Sequence, residues 1–74
     1  MTHHHLDARK LLCPMPVIKL QNLMKQCHPG DTIEVICTDP GCQHDIPTWC
    51  RIHKHRVESS YEKASEYYFS IIVS

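Results

Sequence analysis

Two prolines one residue apart, in Cys13-Pro14-Met15-Pro16, define where the first helix of this 74-residue chain must begin. Proline is readily tolerated in the first turn of a helix, where backbone N–H groups have no intrahelical acceptor and its fixed φ suits the helix. Beyond these prolines Val17, Ile18, Leu20, Leu23 and Met24 recur largely at spacings of three and four, leaving Lys19, Asn22, Lys25 and Gln26 to face solvent. The pattern predicts a helix from Pro14 to about Cys27 with Cys13 at its cap. A thiolate there lies at the positive end of the helix macrodipole, so a pKa below the ~8.5 of free cysteine is expected. The competing reading makes Cys13 a small apolar residue beneath a capped helix.

Punctuation divides the rest of the chain into alternating elements, with no linker or repeat. Leu6 to Ala8 reads as a short first strand, and residues 1–5 are expected to be disordered. Pro29-Gly30-Asp31 ends the first helix, and Thr32 to Cys37, alternating and rich in β-branched residues, forms the second strand. Asp39-Pro40 then offers a second helix start. Ile46, Trp49, Cys50 and His53 keep helical spacing up to about Lys54, while Pro47 either kinks this helix or divides a leading turn from a main helix capped by Asp45. Arg56 to Tyr61 and Tyr67 to Val73 form two closing strands, with a hairpin turn in Glu62 to Ser65. The order βαβαββ is most economically packed as an α/β two-layer sandwich, with both helices on one face of a four-stranded mixed sheet. Polar Thr32, Glu34 and Glu58 suit an open opposite face.

Composition limits the function classes. A chain of this length makes one domain, residues 1–74, with a thin core and little room for a substrate cavity. Eight Lys and Arg balance eight Asp and Glu, which argues against a dedicated duplex-nucleic-acid binder; the only basic cluster runs from Arg51 to Arg56. No apolar stretch approaches the ~20 residues that span a bilayer, and the N-terminus lacks a secretory core, so a cytoplasmic, reduced protein is expected. Five cysteines then point to reactive, metal-bound or buried thiols.

Cys37, Cys42, His44, Cys50, His53 and His55 are rich in zinc-ligand types. Their spacings, C-x4-C-x-H and C-x2-H-x-H, do not reproduce the usual paired arrangements, and no metal or other cofactor is expected. The His3-His4-His5 run carries no functional weight. His53 and His55, with Arg51, Lys54 and Arg56, read as a cationic surface at a helix C-terminus: either a docking site for an acidic partner or tRNA backbone, or simply a solvated helix end. Cys50 is assigned to the core beside Ile46 and Trp49. Cys37 is also structural, though its facing is ambiguous. Cys42, after Asp39-Pro40, is either a mildly activated exposed thiol or an ordinary surface or half-buried one, and Cys27 near a helix C-terminus should be less reactive. The expected alkylation order is Cys13 first, Cys42 second, with Cys50 lagging until the protein unfolds.

Leu6-Asp7-Ala8, Cys13-Pro14-Met15-Pro16, Asp39-Pro40, Asp45-Ile46-Pro47, Trp49-Cys50-Arg51 and His55, in this order and over roughly residues 6–73, resemble the TusA/SirA family of small sulfur-carrier proteins. The resemblance implies a two-layer α/β sandwich. It also implies an active-site cysteine, here Cys13, that takes sulfane sulfur as a persulfide from a cysteine desulfurase or rhodanese-like donor and passes it to an acceptor protein. Family fates for that sulfur include tRNA 2-thiouridine formation, molybdenum-cofactor assembly and sulfur oxidation. Pro14 and Pro16 would shape the helix start, and Asp7, Arg9 and Lys10 would tune the loop. Lys10 and Lys54 stand where the family commonly has glycine, and Lys10 would bring a cation near the sulfur. The fourth position of the motif is Pro16, so no C-x-x-C partner resolves a persulfide internally, which favours a carrier, expected as a monomer, over a disulfide oxidoreductase. The alternative is a regulatory or RNA-contacting adaptor using the basic patch without sulfur chemistry.

Overall fold

The computed structural model describes residues 1–74. Its elements are β1 (His3–Ala8), α1 (Met15–Met24), β2 (Thr32–Cys37), α2 (Cys42–Ile52), β3 (Arg56–Lys63) and β4 (Glu66–Ile72). They form the expected α/β order, with a mixed sheet in the spatial order β1-β2-β4-β3. β1 and β2 are parallel, and β4 runs antiparallel to both β2 and β3. No helix is long and apolar enough to cross a membrane.

Alternation along the strands decides which side is covered. Ile33, Val35 and Cys37 of β2, Ala8 of β1, and Phe69 and Ile71 of β4 are buried, and they join Leu20 of α1 and Ile46 and Cys50 of α2 in one core. Cys37 thus shares the inward face of Ile33 and Val35, which settles its facing. On the open face Tyr61 and Tyr68, opposite one another in the β3–β4 ladder, stack at 4.6 Å. Glu58 falls at the register shift between Val57 and Ser59, an extra residue that bends the edge strand.

The first strand corrects the expectation of a disordered residue 1–5 segment. His3, His4 and His5 pair in register with Thr32, Ile33 and Glu34, because a parallel ladder with β2 satisfies their backbone groups whatever their side chains. Alternation turns His4 inward, with its Nε2 3.1 Å from Asp31 Oδ2. Asp31, only 3% exposed, also accepts the N–H groups of Thr2 and His28, each at 3.0 Å. The donation from Thr2, then that from His28, holds its carboxyl well below the usual carboxylate range. A depressed folded-state pKa stabilises the fold above the unfolded value and loses that contribution as pH falls through the folded one. Urea midpoints of the wild type should therefore drop more steeply below about pH 4 than those of Asp31→Asn. Parallel acid profiles for the two proteins would refute this role.

The second helix is also corrected. It runs unbroken from Cys42 to Ile52 through Pro47, and Asp45 caps no separate segment. Pro47 withholds a hydrogen bond only from the carbonyl of Gln43, an exposed residue whose carbonyl water can serve. The hairpin turn is shorter than the sequence suggested, with Ala64 and Ser65 at φ 52° and 63° between β3 and β4. Two consecutive left-handed residues are what Asn-Gly accommodates best. Replacing the pair by Ala64→Asn and Ser65→Gly should stabilise the domain by about 1 kcal/mol, raising the thermal midpoint by roughly 5 °C. An unchanged or lower midpoint in calorimetry would contradict that reading of the turn.

Candidate functional site around Cys13

β1 and β2 are parallel neighbours, so the loops leaving their carboxyl ends meet at one edge of the sheet. The N–H of Lys10 donates to Thr38 Oγ1 at 2.8 Å, and that of Cys13 donates to Asp39 Oδ2 at 2.7 Å. Asp39 Oδ1 takes the N–H of Gly41 at 3.0 Å, so one carboxylate ties the cysteine loop to the start of α2. Pro14 occupies the N-cap of α1 and Pro16 lies buried in its first turn, while the Cys13–Pro14 peptide is cis. Cys13 is therefore one residue outside the cap that the sequence assigned to it.

Its electrostatic setting reverses the expected one. The Cys13 thiol is half-buried, and its sulfur shares the space over Gly41 with the carboxylates of Asp39 and Asp45. The Asp45 carboxylate first, then burial, then the Asp39 carboxylate push its pKa above that of a free thiol, which favours the protonated sulfur. The reading from the helix macrodipole omitted these carboxylates because both come from the loop and first turn of α2, more than twenty residues away along the chain. Asp39 and Asp45 are the site residues that sequence reasoning missed. Asp-Pro and Asp-Ile-Pro were visible as helix-start signals, but only the parallel pairing of β1 with β2 brings them to the sulfur.

Gly41 closes the site from below. A Cβ built there would lie 3.2 Å from Cys13 Sγ and 3.6 Å from Asp39 Oδ1, so the bare backbone makes room for the sulfur. Next in the chain, Cys42 is fully buried in the core with Cys37. Burial is the largest influence raising it to about 12, which overturns the reading of an activated, second-fastest Cys42. Burial likewise raises Cys50 to about 11 in the core position the sequence assigned to it. With no thiol activated by its surroundings, the alkylation order rests on access, which favours the half-buried Cys13 and Cys27 over the buried Cys37, Cys42 and Cys50.

The remaining predicted site residues lie around the loop or away from it. Asp7 and Arg9 form a two-point pair, with Nε–Oδ1 and Nη2–Oδ2 both 2.9 Å. Hydrogen bonding to Arg9 lowers the Asp7 carboxyl to about 2. The pair is exposed and braces the loop. Lys10 has φ 64°, the left-handed geometry in which glycine is commonest, and its side chain lines a cleft with Asp7, Arg9 and Lys19. Cys13 is not among the residues that line this cleft. Lys54 also has φ 64°.

Arg51, Lys54 and Arg56 are exposed at the carboxyl end of α2. That helix has 11 residues, which puts the patch about 16 Å along its axis from the end near Cys13. His53 and His55 stack on Trp49 at 4.4 and 5.7 Å, and His55 is held below its ordinary pKa by burial, then by His53. His55 therefore adds no charge to the basic surface at neutral pH, contrary to the sequence reading. The Cys/His set considered for zinc is dispersed, with Cys37, Cys42 and Cys50 in the core and His44 and His53 exposed.

Fold and site together define a small α/β sandwich that presents one accessible thiol at the carboxyl ends of its parallel strands. A family model described as Sulfurtransferase TusA matches residues 4–73. Among similar proteins, one called sulfur carrier protein TusA from Pseudomonas paraeruginosa is 39% identical over 66 residues, covering 89% of this chain and 84% of the relative. A protein of the same name from Pseudomonas fluorescens is 38% identical, with 89% and 80% covered. The chain belongs to the TusA family.

Proposed function

We propose that this chain carries sulfane sulfur as a persulfide on Cys13 and relays it between two proteins. The observation that carries the reading is access: Cys13 is half-buried at the strand ends, while Cys37, Cys42 and Cys50 are fully buried. In loading, the Cys13 thiolate attacks the outer sulfur of a donor persulfide, a new S–S bond forms and the donor's thiolate leaves. The Cys13 proton has an acceptor beside it in the Asp45 carboxylate. In unloading, an acceptor thiolate attacks the outer sulfur and Cys13 is the leaving group.

Leu12 and Met15 flank the Cys13-Pro14 step and are 76% and 42% exposed, an apolar rim against which a protein partner can exclude water during exchange. A cysteine desulfurase or rhodanese-like protein fits the donor role. Recipients within tRNA 2-thiouridine formation, molybdenum-cofactor assembly or sulfur oxidation fit the acceptor role. Intact-mass spectrometry after incubation with a cysteine desulfurase and cysteine tests the reading: one reductant-labile sulfur should appear, mapped to the Cys13 peptide. No added sulfur with either donor class would count against it.

A further inference from the structure

The amino ends of the same parallel strands, opposite Cys13, gather three ligand-type side chains from three segments. His4 comes from β1, Cys27 from the turns that follow α1, and Asp31 from the residue before β2. One ligand atom from each, a ring nitrogen, Sγ and a carboxylate oxygen, lies within 4.8 Å of the other two. In a tetrahedral zinc site, bonds of about 2.0–2.3 Å put the ligand atoms roughly 3.3–3.8 Å apart. His4 Nε2 and Asp31 Oδ2 are already 3.1 Å apart, so small rotations of Cys27 and His4 close the triangle.

The support around these ligands is built. Asp31 is almost fully buried, and the N–H groups of Thr2 and His28 orient its two oxygens at 3.0 Å each, as outer-shell donors orient a ligating carboxylate. The Cys27 thiol has only the carbonyl of Leu23 as a partner, at 3.4 Å, so little is lost when it turns to a metal. We propose that His4, Cys27 and Asp31 bind a divalent ion of the Zn²⁺ class, with water completing the tetrahedron, and that the ion staples β1 to the α1–β2 turn. A nitrogen, sulfur and oxygen donor set suits Zn²⁺ or Co²⁺ and disfavours Mg²⁺ and Ca²⁺.

Charge and protons balance at this site. Asp31 is already ionised, Cys27 gives up its thiol proton to solvent, and neutral His4 carries its ring proton on Nδ1 while Nε2 binds. One thiolate and one carboxylate then neutralise the ion, which suits a partly desolvated pocket. The expectation of no metal came from the spacing of Cys and His along β2 and α2; this set is assembled from other segments. In a domain whose core holds 11 buried residues, such a staple adds stability that packing alone supplies sparingly.

The test is titration of the reduced, metal-free full chain with Co²⁺ and then Zn²⁺. One equivalent of Co²⁺ should give a thiolate-to-metal charge-transfer band that Zn²⁺ abolishes, and excess Zn²⁺ should raise the thermal midpoint by about 5–10 °C. Cys27→Ser should lose both signals while keeping the far-ultraviolet circular dichroism of the wild type. Cys13→Ser should keep both signals. His4→Gln, which can still donate to Asp31, should lose the band and serves as the second variant should Cys27→Ser unfold. Absence of a band in the wild type overturns the proposal, as does a band that survives Cys27→Ser or disappears in Cys13→Ser. A surviving band would mean that one of the other four thiols holds the metal.

Discussion

Cys13→Ser should reduce sulfur loading by a cysteine desulfurase to background, leaving the fold and thermal midpoint close to those of the wild type. The serine hydroxyl cannot form a persulfide, and no other thiol can substitute. Cys37, Cys42 and Cys50 have no exposed surface, and Cys27 is half-buried after the far end of α1. The same variant separates the carrier from an adaptor, because any binding through Arg51, Lys54 and Arg56, about 16 Å away along α2, should survive. Equal loading of Cys13→Ser and wild type, read by intact mass, would remove Cys13 from the mechanism.

What the sequence disclosed and what it hid have physical causes. The strand formed by Thr32 to Cys37 and the helix begun by Pro14 and Pro16 are local events, set by alternation and by proline's missing donor, and both were legible. β1 was only half legible. His3 to His5 have no apolar alternation and join the sheet because Thr32 to Glu34 offer a parallel ladder, a tertiary cause. α2 misled because Pro47 looked like a divider, whereas the carbonyl it leaves unpaired belongs to an exposed residue. The two lysines at family glycine positions were visible as departures, and the structure supplies their common reason in a φ of 64° at each. Cys13 itself was legible, but its charge environment was not, since Asp39 and Asp45, which raise its pKa together with burial, come from a distant stretch of the chain.

That environment makes Asp45→Asn the most informative variant after removal of the cysteine. The Asp45 carboxylate lies near the Cys13 sulfur and disfavours the thiolate, so neutralising it should lower the thiol pKa. Below the pKa each unit recovered is a tenfold gain in thiolate, but intrinsic nucleophilicity falls with a Brønsted slope of about 0.4–0.5, leaving roughly threefold per unit. A change of about two units then accelerates iodoacetamide labelling of Cys13 at neutral pH on the order of tenfold. Wild-type labelling should climb with pH without levelling near the ~8.5 of a free thiol, while the variant should inflect earlier. Asp39→Asn is the poorer probe, because Asp39 also accepts the N–H groups of Cys13 and Gly41 at 2.7 and 3.0 Å, and losing them loosens the loop. The two roles open to Asp45 predict opposite signs. If its field suppresses the thiolate, the variant labels faster; if it serves chiefly as a base that draws the proton from Cys13 during attack, the variant labels more slowly and loads sulfur more slowly. A slower variant would therefore overturn the electrostatic account while leaving Cys13 as the carrier.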